Sequence, residues 1–269
     1  MELNTLRVGF AFYCLFTAFC ISAAFSSEKA NAGKRAVFVL FLGVFFHGVS
    51  LFLRWGRLEH GPYVGLYEGL SSGLWVSAVF YLLGGIKKPS FRKSGITAGA
   101  TMIVWLAWIS SLSAEDTRFP VTYDTLWFIV HVVSGKLSYG ALFPAFVLSL
   151  HQLAGSLFMA KAQNRAAFRH LEKEVYPFMF FAFITATVMM VSGGIWAQKA
   201  WGREWTWDSL ELGALAIWLI YGLYIHLRIT YNALFKKIWF VYLIAAYLLT
   251  FYNLFGIPFL SSVIHSGMI

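Results

Sequence analysis

Residues 196–228 read WAQKAWGREWTWDSLELGALAIWLIYGLYIHLR. Trp196, Trp201, Trp205 and Trp207 fall within its first twelve positions, interleaved with Gly202, Asp208 and Glu211. From Leu210 the segment turns into an apolar run that ends on His226 and Arg228. A run of that length can cross a bilayer core of about 30 Å. Tryptophans concentrated at its mouth suit a large, flat, apolar surface held at the membrane boundary. An interfacial aromatic belt is the other reading of Trp196, Trp201 and Trp205, but it leaves Asp208 and Glu211 unexplained. Both acids stand where the helix begins and its dipole favours anions. Asp208 then reads either as an N-cap or as a fixing partner for Arg203, a tryptophan N–H or a histidine ligand.

The rest of the chain is built the same way. Its 269 residues are 59% hydrophobic and 12% charged, where a soluble domain would carry nearer a quarter of charged residues. Eight apolar runs fit spans at about 6–25, 36–53, 65–86, 95–112, 126–158, 176–196, 210–228 and 238–257. The expected fold is therefore all-α: a polytopic membrane helical bundle of about eight helices, one membrane domain over 1–269. An external tryptophan-rich loop is expected at about 196–211. The fifth run is too long for one straight crossing and contains Pro144, a kink site.

The net charge of +9 sits in short loops, which reads as an orientation signal and not as nucleic-acid binding. Lys29, Lys34 and Arg35, then Lys87, Lys88, Arg92 and Lys93, then Lys161, Arg165, Arg169 and Lys173, then Arg228, Lys236 and Lys237 fall in one set of loops. The opposite set carries only scattered basic residues such as Arg54, Arg57 and Arg203. The basic set belongs in the cytoplasm, so both termini face outward, on the periplasmic side. The first run has no A-x-A-like cleavage site and reads as a retained helix. Cys14 and Cys20 inside it have neither CxxC nor zinc spacing and read as buried, inert thiols.

Seven histidines occur, and depth separates them. His60, His131 and His265 fall on the outward face with the tryptophans. His47 and His226 lie within spans, where an ionisable residue suggests function; a hydrogen-bonded histidine between helices is the plainer reading. His151 and His170 are interfacial. Imidazole is a common haem ligand, and a pair of them makes iron six-coordinate. His226 is too deep to share an iron with His131, so ligation at both would mean two sites.

These residues carry a resemblance. Trp201-Gly202-x-x-Trp205-x-Trp207-Asp208-x-x-Glu211, followed by a span ending His-Leu-Arg, resembles the tryptophan-rich signature of the cytochrome c assembly proteins. The CcsA (ResC) branch, the membrane half of the system II cytochrome c synthetase, is the most similar. Arg54-Trp55, His60-x-Pro62, Tyr67-Glu68 and Trp75 are similar to the family's R-W-x-x-x-G-H-x-P-x-x-x-x-Y-E-S-L segment. The family's glycine before the histidine is Glu59 here, its serine is Gly69, and its W-D-P-K/R-E reads Trp207-Asp208-Ser209-Leu210-Glu211.

The resemblance implies haem b, one or two, as cofactor. His131 and His265 would be axial ligands at an external site, with His226 at a site inside the membrane and His47 as an internal alternative partner there. Trp196, Trp201, Gly202, Trp205, Trp207, Asp208 and Glu211 would form the haem platform, supported by the loop of Arg54, Trp55, His60, Pro62, Tyr67 and Glu68. The implied partners are apocytochrome c with its CxxCH motif, a second membrane subunit of the CcsB/ResB type, and the lipid bilayer. The implied activity is haem presentation and thioether formation at the plasma (inner) membrane or an equivalent energy-transducing one. A b-type electron-transfer subunit and a regulator of haem biosynthesis are the alternatives.

Overall fold

The structure is a computed structural model that describes residues 1–26, 29–116, 119–158, 164–230 and 238–257. Nine α-helices are described: α1 (Glu2–Phe25), α2 (Lys29–Leu58), α3 (Gly65–Lys87), α4 (Pro89–Lys93), α5 (Gly95–Ser111), α6 (Leu126–Phe158), α7 (Asn164–Trp201), α8 (Ser209–Thr230) and α9 (Trp239–Phe255). A 3₁₀ turn at Val121–Tyr123 precedes α6. No strand occurs among the described residues. Lipid leaves no partner for a bare backbone, so apolar spans must close their hydrogen bonds internally, as helices do.

Eight long apolar helices stand where eight spans were expected. Six of them are long and apolar enough to cross a membrane. The others, α5 and α9, have 17 residues each, about 25 Å at the usual rise. The chain is a multi-pass membrane protein. The short α4, with Pro89 at its start, was not expected. Hydropathy also understated α2 and α7, which continue through polar residues at both ends. α6 and α7 run unbroken past Pro144 and Pro177.

The chain divides into two compact units, Met1–Thr117 and Arg118–Ile269. In the first, α1 packs on α2, α2 on α3, α3 on α5 and α5 back on α1, a closed ring, with α4 against α2, α3 and α5. In the second, α6, α7, α8 and α9 close a ring in the same way. Tyr13, Phe16, Leu40 and Leu70 fill the first ring; Phe143, Tyr221 and Leu243 fill the second. Large apolar side chains also point outward, among them Phe38, Phe45, Phe52 and Val104 in the first unit and Val191, Leu219 and Leu248 in the second. That pattern suits lipid contact, where apolar burial does not drive helices together and interhelical hydrogen bonds help. Such bonds occur in the first ring, where Trp75 donates its indole N–H to the Val44 carbonyl at 2.9 Å, and in the second. Tyr221 and Thr250 join hydroxyls at 2.8 Å, and Trp218 donates its indole N–H to Thr187 at 2.8 Å.

The cysteines differ from expectation. Cys20 is buried, but Cys14 is exposed, because six residues along a helix turn the side chain to another face.

Candidate functional site

His131 lies in the second turn of α6, half-buried. Its Nδ1 is 2.8 Å from the carbonyl of Met189 on α7, and its ring stacks beside Trp196 at 5.8 Å and 26°. A Cβ on Gly193, one turn beyond Met189, would come within 2.5 Å of that Nδ1, so glycine is what lets α6 bring the imidazole against α7. Trp196 is 2% exposed and donates its indole N–H to the carbonyl of Thr122 at 2.8 Å. Phe128 and Tyr123 pack around it, with Tyr123 stacked on Phe128 at 4.1 Å. Burial pushes the Tyr123 phenol up to about 12.

The tryptophan segment is less of a loop than expected. Trp196 and Trp201 belong to the last turns of α7, 4.9 Å apart and nearly perpendicular. Only 202–208 leave the helical path. Gly202, with φ 75°, ends α7 in the left-handed region that a side chain disfavours. Trp205 and Trp207 meet edge to face at 5.9 Å. Trp207 is 68% exposed and itself takes φ 60°, a conformation costing an L-residue roughly 1–2 kcal/mol.

Asp208 and Glu211 explain how the segment holds. Asp208 Oδ1 accepts the N–H of Glu211 at 2.9 Å, so the N-cap reading of Asp208 is the one the geometry supports. Glu211 reaches back, and its Oε2 accepts the N–H of Thr206 at 2.7 Å and of Trp207 at 2.8 Å. The arrangement resembles a capping box, except that the acid clamps the two N–H groups just ahead of the N-cap. The indole N–H of Trp205 and the hydroxyl of Thr206 are buried with no hydrogen-bond partner among the described residues.

The supporting segment forms a separate cluster within the first unit. Arg54 and Trp55 end α2, and Tyr67 and Glu68 begin α3, so only Glu59–Val64 is loop. Arg54 is 3% exposed and Glu68 1%. Arg54 Nε donates to Glu68 at 2.8 Å, and its terminal nitrogens donate to Glu2 at 3.0 Å and to the Glu115 carbonyl at 2.7 Å. Its guanidinium also stands 5.1 Å from the centre of the Tyr67 ring. Glu68 spends its other oxygen on the N–H of Val64 at 2.9 Å. His60 is buried, its Nδ1 3.0 Å from the Gly61 carbonyl, and Trp55 is turned outward at 53% exposure. This cluster pins four chain segments together; a buried arginine earns its place there by satisfying several acceptors at once.

At Glu59 the backbone takes φ 61° as α2 ends, which accounts physically for a glycine in the related motif. Outside the buried cluster, Arg57 donates to Asp116 at 2.7 Å and holds the exposed Asp116 carboxyl below the usual carboxylate range.

The intramembrane histidines part company. His47 is fully buried, with Tyr13 hydroxyl 3.2 Å from Nδ1 and Ser71 hydroxyl 3.0 Å from Nε2. Both ring nitrogens are hydrogen-bonded, the plainer of the two readings that the sequence offered for His47. His226 lies on an exposed face of α8. Two residues on, Arg228 pairs with Glu172 at 3.2 Å and lies 3.8 Å over the Tyr176 ring. His265 lies outside the described residues.

Residues 4–265 match the cytochrome C assembly protein family. The chain belongs to that family. Its function is cytochrome c biogenesis, a haem-handling process. Cytochrome c biogenesis protein CcsA of Synechococcus sp. (strain CC9605) is 28% identical over 255 residues, 83% of each chain. The protein of the same name from Panax ginseng is 27% identical over 244 residues, 76% of this chain and 73% of that one. Among solved structures, Cytochrome c Heme Lyase CcmF superposes with a TM-score of 0.68 at 16% identity, over 95% of this chain and 46% of that one. The chain thus spans about half of that protein, and the likeness is one of fold.

The residues of this family member fit haem. One imidazole is fixed at Nδ1 by a carbonyl, which is how haem and metal histidines are commonly oriented. It sits against a stack of indole and phenyl rings and beside a segment with two unsatisfied donors. Two signals were missed from sequence. The Met189 carbonyl carries no side-chain mark, and Gly193 was the one legible trace of the close approach it serves.

Proposed function

We propose that this chain presents haem at the outer face of a plasma or equivalent energy-transducing membrane and assists its covalent attachment to CxxCH motifs of apocytochrome c. The observation that carries this reading is the Met189 carbonyl at His131 Nδ1, with the ring against Trp196. A carbonyl acceptor keeps the proton on Nδ1 and gives Nε2 the ligand's role. His265 supplies the second axial imidazole in this reading. Trp196, Trp201, Trp205 and Trp207 offer the flat faces, while Asp208 and Glu211 hold the segment's shape.

Each acceptor cysteine then adds across a haem vinyl group. A carbon–sulfur bond forms, the thiol hydrogen ends on the neighbouring vinyl carbon, and no outside electron is needed. Fixing the cargo lowers the entropic cost of meeting the thiols. The acceptor histidine replaces one of the two imidazoles as the product leaves. His226, on an exposed helix face, serves a second haem inside the membrane with a ligand from a CcsB/ResB-type subunit. The charge asymmetry of the loops supports an outward His131 end.

The test is a haem spectrum of purified wild type, His131→Ala, His265→Ala and His226→Ala. The first two should lose one shared site and the third a separate one. Spectra unchanged in all three exclude the reading. Co-expression with a CxxCH acceptor and partner subunit, in a host lacking its own assembly system, should yield covalent haem. Tightly held haem without covalent product would instead fit a b-type electron carrier.

A further inference from the structure

We propose that Glu211 is a positioning residue of the platform, holding Trp207 in its left-handed conformation and so setting where that indole meets the cargo. The inference rests on the haem reading above. Bulky residues seldom take φ near 60°, yet Trp207 does. Such outliers persist where their surroundings over-determine them, and they cluster at functional sites.

Here the determinant is visible. One carboxylate oxygen of Glu211 accepts from both Thr206 and Trp207, and Asp208 pins the turn from which Glu211 reaches. An acidic oxygen suits two converging N–H donors better than a neutral one does. The outcome is an indole 68% exposed, set edge-on to Trp205. Helix capping alone requires neither a tryptophan at that position nor its projection into the surroundings. Among the described residues, the buried Trp205 indole N–H and Thr206 hydroxyl find no hydrogen-bond partner. A bound group carrying acceptors would satisfy them.

The experiment uses the full chain in detergent as wild type, Glu211→Ala, Glu211→Gln and the pair Trp207→Gly with and without Glu211→Ala. Amide hydrogen exchange of 202–209 and haem dissociation into an excess of apomyoglobin are read on each. Glu211→Ala should speed exchange at Thr206 and Trp207 about tenfold while the α8 interior stays protected. Its haem should leave about five- to tenfold faster. Glu211→Gln should fall between, since its amide oxygen still accepts. On the Trp207→Gly background, where the left-handed backbone carries no strain, Glu211→Ala should change haem dissociation no further.

Unchanged exchange in Glu211→Ala overturns the clamp. Faster exchange with wild-type haem dissociation overturns its role toward the cargo. Loss of protection throughout α8 also overturns it, since Glu211 would then be holding the helix alone. A wild-type chain that takes up no haem defeats the haem reading, and the exchange data then decide the clamp by themselves.

Discussion

The ring of His131 is held by a backbone atom, the carbonyl of Met189, 2.8 Å from Nδ1 across the α6–α7 interface. Orientation through main chain is robust to side-chain substitution on α7, because replacing Met189 leaves its carbonyl in place. The sensitive position is Gly193, whose missing Cβ makes room for the imidazole. Gly193→Ala should leave helix content intact yet tilt the ring. Haem affinity should drop about tenfold, ~1.4 kcal/mol, as read by haem titration, whereas Met189→Leu should bind like wild type.

Glu59 carries backbone strain at φ 61° in an exposed turn where glycine has none. Glu59→Gly should therefore raise stability by roughly 1 kcal/mol, seen as a higher midpoint in thermal unfolding in detergent. A lower midpoint would mean that the Glu59 side chain makes a compensating interaction.

Arg54 is the cation paired with buried Glu68, and it shares the half-buried Glu2 with Arg57. Arg54→Ala strands Glu68 at 1% exposure and should cost about 3–5 kcal/mol. Arg54→Lys should rescue little, because one ammonium cannot reach acceptors arranged for a planar fork. The double variant Arg54→Ala, Glu68→Ala should be more stable than Arg54→Ala alone, as judged by unfolding midpoints.

The Arg57–Asp116 pair gives a pH dependence of known sign. Asp116 is held below its ordinary value chiefly by the Arg57 hydrogen bond. Its contribution is complete above the usual carboxylate range and disappears as pH falls through the depressed value, so the change belongs below about pH 4. Exchange of amides in 112–116 should accelerate across that window in wild type, and Asp116→Asn should flatten the response.

Much of the fold was legible because lipid allows few alternatives. Charged residues bracket the apolar runs of α1, α3, α5, α6 and α8, and Lys237 precedes that of α9; the structure begins and ends those helices near the expected positions. α2 and α7 ran longer, since a helix that leaves the apolar layer keeps its hydrogen bonds while losing its hydropathy mark. That is why Trp196 and Trp201 are helical, not loop. The cap at Asp208 was legible from its place at the start of an apolar run. The use of Glu211 was not, because it depends on Trp207 taking a backbone conformation that tryptophan rarely signals. His47 was ambiguous for a different reason: its partners Tyr13 and Ser71 lie 34 and 24 residues away, and no periodicity links them.

Each four-helix ring is closed by contacts among consecutive stretches of chain. The first uses nothing beyond Ser111. A nascent polypeptide can therefore complete its amino-terminal bundle while the histidine-bearing α6 is still unmade. Biosynthesis then assembles this protein in two instalments, and the anchor of Arg54 is in place before the first tryptophan of the platform leaves the ribosome.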